Sequence, residues 1–402
     1  MKKVVPGPEQ CWISELRKRL AIAGALACLA SSANAAVTIS SDTTTNMDCS
    51  AGVCAPTESK AVLNVTDLED LLGSGGVQVT TTGAGGVQAK DITVAAAISW
   101  SNQNGLSLDA HRSITINRPI SIAGAAGLSL ATAGRGTLSF GAKGDVTFAS
   151  LSSVLTINGT VYTLENSISA LASAIASNPA GSYALANSYD ASQDGPYSDS
   201  PIATQLVGVV QGLGNTISNL SINRPNAKQT VGLFTEVAST GSVADLRLHG
   251  LNIMATKTAV GGLVGYNQGT LSADEVQGSI SAKGSGGGLV GDNRGTITGS
   301  AANVRVKGTG GLGGLVGSNA GTISLSHASG DVNGSAAGGL VGDNDNGSIT
   351  QSYATGTVEG GNPGGLVGKL ESSGSISDSY STGGDNGGRI RVPIRVDFGF
   401  FK

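Results

Sequence analysis

The pentapeptide Gly-Gly-Leu-Val-Gly occurs five times in this chain, starting at Gly261, Gly287, Gly313, Gly338 and Gly364, at intervals of 26, 26, 25 and 26 residues. A longer phrase repeats with it. Asn267, Asn293, Asn319 and Asn344 each stand two residues after a copy. A Gly-Thr/Ser-Ile step follows, as in Gly295-Thr296-Ile297, Gly321-Thr322-Ile323, Gly347-Ser348-Ile349 and Gly374-Ser375-Ile376. Three residues beyond each Ile comes a serine: Ser300, Ser326, Ser352 and Ser379. Two units close on a Tyr-led phrase, Tyr353-Ala354-Thr355-Gly356 and Tyr380-Ser381-Thr382-Gly383.

A fixed period in this range marks a repeat architecture in which each unit covers the apolar face of its neighbour. The apolar runs are two or three residues long and flanked by Gly, which disfavours helix by about 1 kcal/mol per residue against Ala. Short strands joined by turns fit instead. A propeller blade needs roughly 40 residues or more, so the period predicts one coil of a parallel β-helix, with rungs of about 22–26 residues. In such a coil Leu263, Leu289, Leu315, Leu340 and Leu366 form one inward column. The repeated Asn and Ser read as structural: stacked Asn side chains can bond along the stack, and Asn tolerates the left-handed backbone of a turn.

The repeat resembles the GLUG motif, named for its glycine-rich GGLVG core. That motif is found in bacterial surface proteins, notably filamentous-haemagglutinin-like adhesins and some immunoglobulin A peptidases. The resemblance covers Gly261–Gly384, with a degenerate first unit at Val231-Gly232-Leu233-Phe234. It implies an exported surface protein and assigns no chemistry to the motif itself.

Composition agrees with a polar, turn-rich solenoid: 62 of 402 residues are Gly, and only 13% are charged. A net charge of −4 gives no reason to expect a nucleic-acid partner. Residues 1–36 read as a secretory signal, with Arg17-Lys18-Arg19 before the apolar run Leu20–Ala30 and a small-residue cleavage site at Ala33-Asn34-Ala35. No later segment reaches the roughly 18 apolar residues of a membrane-spanning helix. Cys11 and Cys28 leave with the signal. Cys49 and Cys54 remain, and an exported pair this close reads as one disulfide loop.

Residues 37–60 read as a polar lead-in around that loop. From 61 to 160, apolar triplets of period two recur, among them Leu106-Ser107-Leu108, Ile114-Thr115-Ile116 and Leu128-Ser129-Leu130. This half resembles the β-helical shaft of haemagglutinin-like exoproteins. Leu164, Ile168, Leu171 and Ile175 have helical spacing, stopped by Asn178-Pro179, so residues 161–224 read as a helix insertion with connecting coils. The repeat domain occupies 225–388. Residues 389–402 form an atypical aromatic and basic tail, either a capping strand or the end of a truncated reading frame.

Chemistry is sparse. His111, His249 and His327 are the only histidines and lie far apart, without a His-Glu-x-x-His zinc motif. Serines are abundant but none sits in a nucleophile elbow. The acids of the repeats do not recur at one rung position, except that Asp292 and Asp343 both precede the repeated Asn. No catalytic, metal or cofactor residue is therefore assigned. The expectation is an exported, non-enzymatic β-helical passenger or shaft that presents loops to a host or cell-surface receptor, a glycan or a matrix protein. The alternative is a carbohydrate-active β-helix lyase or hydrolase, which would need several charged side chains converging in one groove.

Overall fold

A computed structural model describes residues 35–384, apart from 227–228, 257–258 and 372. The signal reading and the tail 389–402 lie outside the described residues, apart from Ala35 and Ala36. Within them the chain forms a parallel β-solenoid of about 13 turns. Each full coil holds three short strands separated by corners, and each strand pairs in parallel with its equivalent one coil later.

In the repeat half, one coil runs Val290–Asn293, Thr296–Thr298 and Ala301–Gly308, then turns back through Gly311–Gly313. The register locks like on like: Val290 opposite Val316, Asn293 opposite Asn319 and Ile297 opposite Ile323. The sequence period thus becomes a stacking period of about 4.8 Å, the strand separation in a sheet. Leu263, Leu289, Leu315 and Leu340 are fully buried, and Leu366 is 4% exposed. Between Leu263 and Leu366 the inward apolar columns are aliphatic, and Phe234 fills the head of the Val264 column.

The glycines of the repeated phrase have a steric reason. A Cβ on Gly261 would stand 2.1 Å from the Val264 carbonyl oxygen and 2.6 Å from the Gly291 nitrogen. The corner brings backbone against backbone, within the coil and across to the next. Any side chain there would push the coils apart.

The first half has the same three-sided plan. Leu106–Ala110, Ile114–Ile116 and Ile120–Ile122 make one coil and pair with Leu128–Thr132, Leu138–Phe140 and Val146–Phe148 of the next. The stretch expected to be a polar lead-in is instead part of this solenoid. Ala36–Ser40 lies between Lys60–Asn64 and Asp91–Val94 and pairs with both. Its Val37 and Ile39 are fully buried. Val37-Thr38-Ile39 is a period-two triplet like those of the following coils, but it stands alone within the stretch, and its pairing partners come much later in the chain. Met47–Ser50 and Val53–Pro56 form a hairpin that joins the edge of the neighbouring sheet.

Two helices close the ends of the two cores. Helix α1, Val65–Ser74, buries Leu68 and Leu72 in the first core, and its Asn64 side chain caps it by accepting from the Thr66 and Asp67 amides. Helix α2, Ile168–Ser177, buries Ile168, Leu171 and Ile175 in the second. It starts later than the helical spacing suggests. Ser167 accepts from the Ala170 amide as its N-cap, and Leu164 belongs to the preceding strand.

That strand carries the main topological event. Leu155–Ile157 ends at Asn158-Gly159, both with positive φ (48° and 80°), and the chain reverses into Thr160–Glu165. This pair is antiparallel. The reversed strand then pairs in parallel with Ser182–Leu185, and the sheet continues in the new direction through the repeats. The core also changes side. Leu155, Tyr162, Leu164 and Ala184 face the first core, whereas Tyr183 and Leu185 face the second. Reversing strand direction and core side together is a half-turn about the stacking axis, so both solenoids wind in the same hand.

Candidate recognition groove

The Asn and Ser side chains that recur at the corners of the repeat face inward. Asn267, Asn293, Asn319 and Asn344 are fully buried at one corner. Each Nδ2 donates to the Oδ1 of the next: Asn267 to Asn293 at 2.8 Å, Asn293 to Asn319 at 2.8 Å and Asn319 to Asn344 at 2.7 Å. Asn344 ends the ladder by donating to the Gly347 carbonyl. Ser300, Ser326 and Ser352 line the next corner, at 1% exposure or less. Their backbone amides donate along the stack to the hydroxyls of Ser326, Ser352 and Ser379. The hydroxyls of Ser300, Ser326, Ser352 and Ser379 donate in turn to the carbonyl two residues back. Each buried corner therefore has an internal partner for its polar groups. Cys49 and Cys54 face each other across the hairpin and are joined by a disulfide, remote from the repeats.

The serine column has one outlier. In register with it, one coil earlier, stands Asp274, which is 1% exposed. Its Oδ1 accepts from the Leu246 amide, as a serine there would, but Oδ2 has no partner. Burial raises its pKa well above the usual carboxylate range. Asp245, 7% exposed, is pushed up to about 7 by burial, against the pull of Arg247. Arg247 itself bonds the carbonyl oxygens of Gly141 at 2.7 Å, Gly214 at 2.6 Å and Gly144 at 3.3 Å, tying the two solenoids together. Buried Asn215 makes a second tie, to the Val146 and Leu185 carbonyls.

With the recurrent residues turned inward, what faces solvent differs between columns. The column outside the Asn ladder reads Glu236, Tyr266, Asp292, Ser318, Asp343 and Lys369, and its acids do not converge. Another column stacks His327, Tyr353 and Tyr380 face to face at 4.8 and 5.3 Å. A third face is made of hydroxyls. On either side of the buried Leu271, Ile297, Ile323 and Ile349 stand Thr270 and Ser272, Thr296 and Thr298, Thr322 and Ser324, and Ser348 and Thr350. No charged residue interrupts these four rungs.

The edge of this face carries a groove of about 460 Å³. Its floor is the backbone of Gly269, Gly295 and Gly321, one wall is the row Thr270, Thr296, Thr322 and Ser348, and the other holds Gln268, Arg294 and Asn346. Arg294 is its only charged side chain. It lies 5.6 Å over the Tyr266 ring, and its Nε is 4.0 Å from Asp292. Sequence reasoning assigned none of these residues. A signal was present: once Ile297 is inward, Thr296 and Thr298 must point outward, and the same alternation recurs in each unit.

Among the described residues no group of three or more His, Cys, Asp or Glu side chains is placed to hold a metal ion. No helix of the described residues is long and apolar enough to cross a membrane. Stacked parallel coils, ladder-bonded corners and inward aliphatic columns define a β-helical repeat protein. A family model matches in the repeat half: the GLUG motif, over residues 333–359. That span is one coil, from Asn333 through the Tyr353-led phrase to Glu359. No curated protein matches the chain.

Proposed function

We propose that this chain is an exported, non-enzymatic β-helical passenger of an adhesin-like surface protein. One observation carries the reading: the recurrent Leu, Asn and Ser columns are inside, while the column outside the Asn ladder, from Glu236 to Lys369, changes from rung to rung. The inward columns build a scaffold, and that outer column is free to differ. That is the economy of a solenoid that presents an extended binding surface. Export is supported by the signal-like residues 1–36 and by the Cys49–Cys54 disulfide, a bond that persists in oxidising compartments.

The test uses purified mature protein, labelled and applied to glycan-coated, matrix-coated and bare surfaces. Saturable binding to one class, with the polysaccharides left intact, supports the reading. Release of reducing ends or unsaturated products would replace it with the carbohydrate-active enzyme.

A further inference from the structure

We propose that the groove beside the hydroxyl face binds an oligosaccharide carrying a single carboxylate, which seats on Arg294. The inference rests on the adhesin reading and names its ligand class.

The groove is polar along its whole length. The row from Thr270 to Ser348 crosses four rungs, or three steps of about 4.8 Å, about 14 Å in all. Hydroxyls both donate and accept, as do the Gln268 and Asn346 amides on the opposite wall. This alternation of donors and acceptors matches a chain of sugar hydroxyls. The glycines of the floor let the coils stack closely: a Cβ on Gly295 would stand 2.1 Å from the Gly269 carbonyl oxygen of the preceding coil. The backbone that carries the wall is held by the Asn ladder at this same corner, so it needs no rearrangement on binding.

Arg294 sets the charge. Its side chain is 61% exposed. Its contact with Asp292 runs through Nε at 4.0 Å, and among the described residues no side chain accepts from its two Nη groups. The guanidinium lies over the Tyr266 ring at 5.6 Å. An unfilled fork of N–H donors is the group that takes a carboxylate bidentately. The nearest other acids on this side limit the ligand to one charge. Glu236, beyond Gln268, accepts from Gln205 and Gln268. Asp345, two rungs from Arg294, accepts from Asn346. A second anionic group about 10 Å along the axis would meet Asp345.

The experiment is titration calorimetry on the mature chain with sialyllactose and with lactose. The first carries one carboxylate and the second none. The expected result is at least tenfold tighter binding of sialyllactose. Arg294→Ala brings sialyllactose down to the lactose level, and Arg294→Lys keeps part of the difference because the charge remains without the fork. Arg294 is exposed, so unchanged circular dichroism and melting of these variants confirm that folding is not the cause. Equal affinity for the two sugars, no binding of either, or an unaffected Arg294→Ala variant overturns the proposal. Protein that still adheres to a surface while sialyllactose fails to compete leaves the adhesin reading standing and removes this one.

Discussion

Asp274 donates its backbone amide to the Ser300 hydroxyl at 3.3 Å, one rung before four serines are joined by three bonds of the same kind. The acid thus occupies a serine's place at the head of a serine ladder. A serine hydroxyl would satisfy that corner. The carboxyl leaves Oδ2 without a partner.

Asp274→Ser is therefore expected to stabilise the protein at neutral pH by about 1–3 kcal/mol, the cost of an unsatisfied buried polar group. The pH dependence fixes the sign. Burial raises the folded-state pKa of Asp274 and Asp245 above the unfolded value of about 3.9. Their contribution is fully present below that value and is lost as pH rises, through about 7 for Asp245. Denaturation at pH 5 and pH 8 should show a larger gain from Asp274→Ser at pH 8. A gain that shrinks with rising pH would mean that Asp274 is ionised in the fold.

Leu315 has a leucine in register on either side and is fully buried. Leu315→Ala is expected to cost about 2–5 kcal/mol from lost burial and a cavity. Ser318→Ala, on the outer face of the same coil, should stay within about 0.5 kcal/mol. Chemical denaturation compares them, and equal small effects would contradict the inward column.

Interior and terminal rungs of the Asn ladder should differ. Asn319 accepts from Asn293 and from the Gly321 amide and donates to Asn344. Asn267 donates to Asn293 but accepts from no Asn before it. Asn319→Ala should cost at least about 2 kcal/mol, and Asn267→Ala distinctly less. Hydrogen exchange at Gly321 reads the local effect: its amide should exchange faster in Asn319→Ala and not in Asn267→Ala.

Arg247→Ala should loosen the junction of the two solenoids, because three carbonyls lose a charged donor. A cost of about 2–4 kcal/mol is expected. Arg247→Lys should not restore it, since an ammonium cannot reproduce the planar fork. Two thermal transitions in place of one would be the clearest readout. An unchanged single transition with full stability would show that Asn215 and the shared sheet suffice.

The sequence by itself determined the coil. A period of 25 or 26 residues, with Leu, Asn, Ile and Ser at fixed places in it, leaves a stacked solenoid as the arrangement that covers every Leu and pairs every Asn. Local periodicity was legible because each rung repeats the same short-range pattern. Tertiary structure decided what depends on partners far along the chain. Ala36–Ser40 becomes a rung only because Lys60–Asn64 and Asp91–Val94 flank it. The turn at Asn158-Gly159 is readable as a hairpin, but its consequence is not: the sheet passes from one core to another, and Ala184 and Leu185, adjacent in sequence, face different interiors. Asp245 is buried at that junction, beside Arg247, which crosses to the first solenoid, whereas Asp274 is buried because it takes a place in the inward serine column. The groove has the same character. Thr270, Arg294, Thr322 and Asn346 become neighbours only through the stacking of coils, and a wall built from four successive rungs is invisible in any one of them.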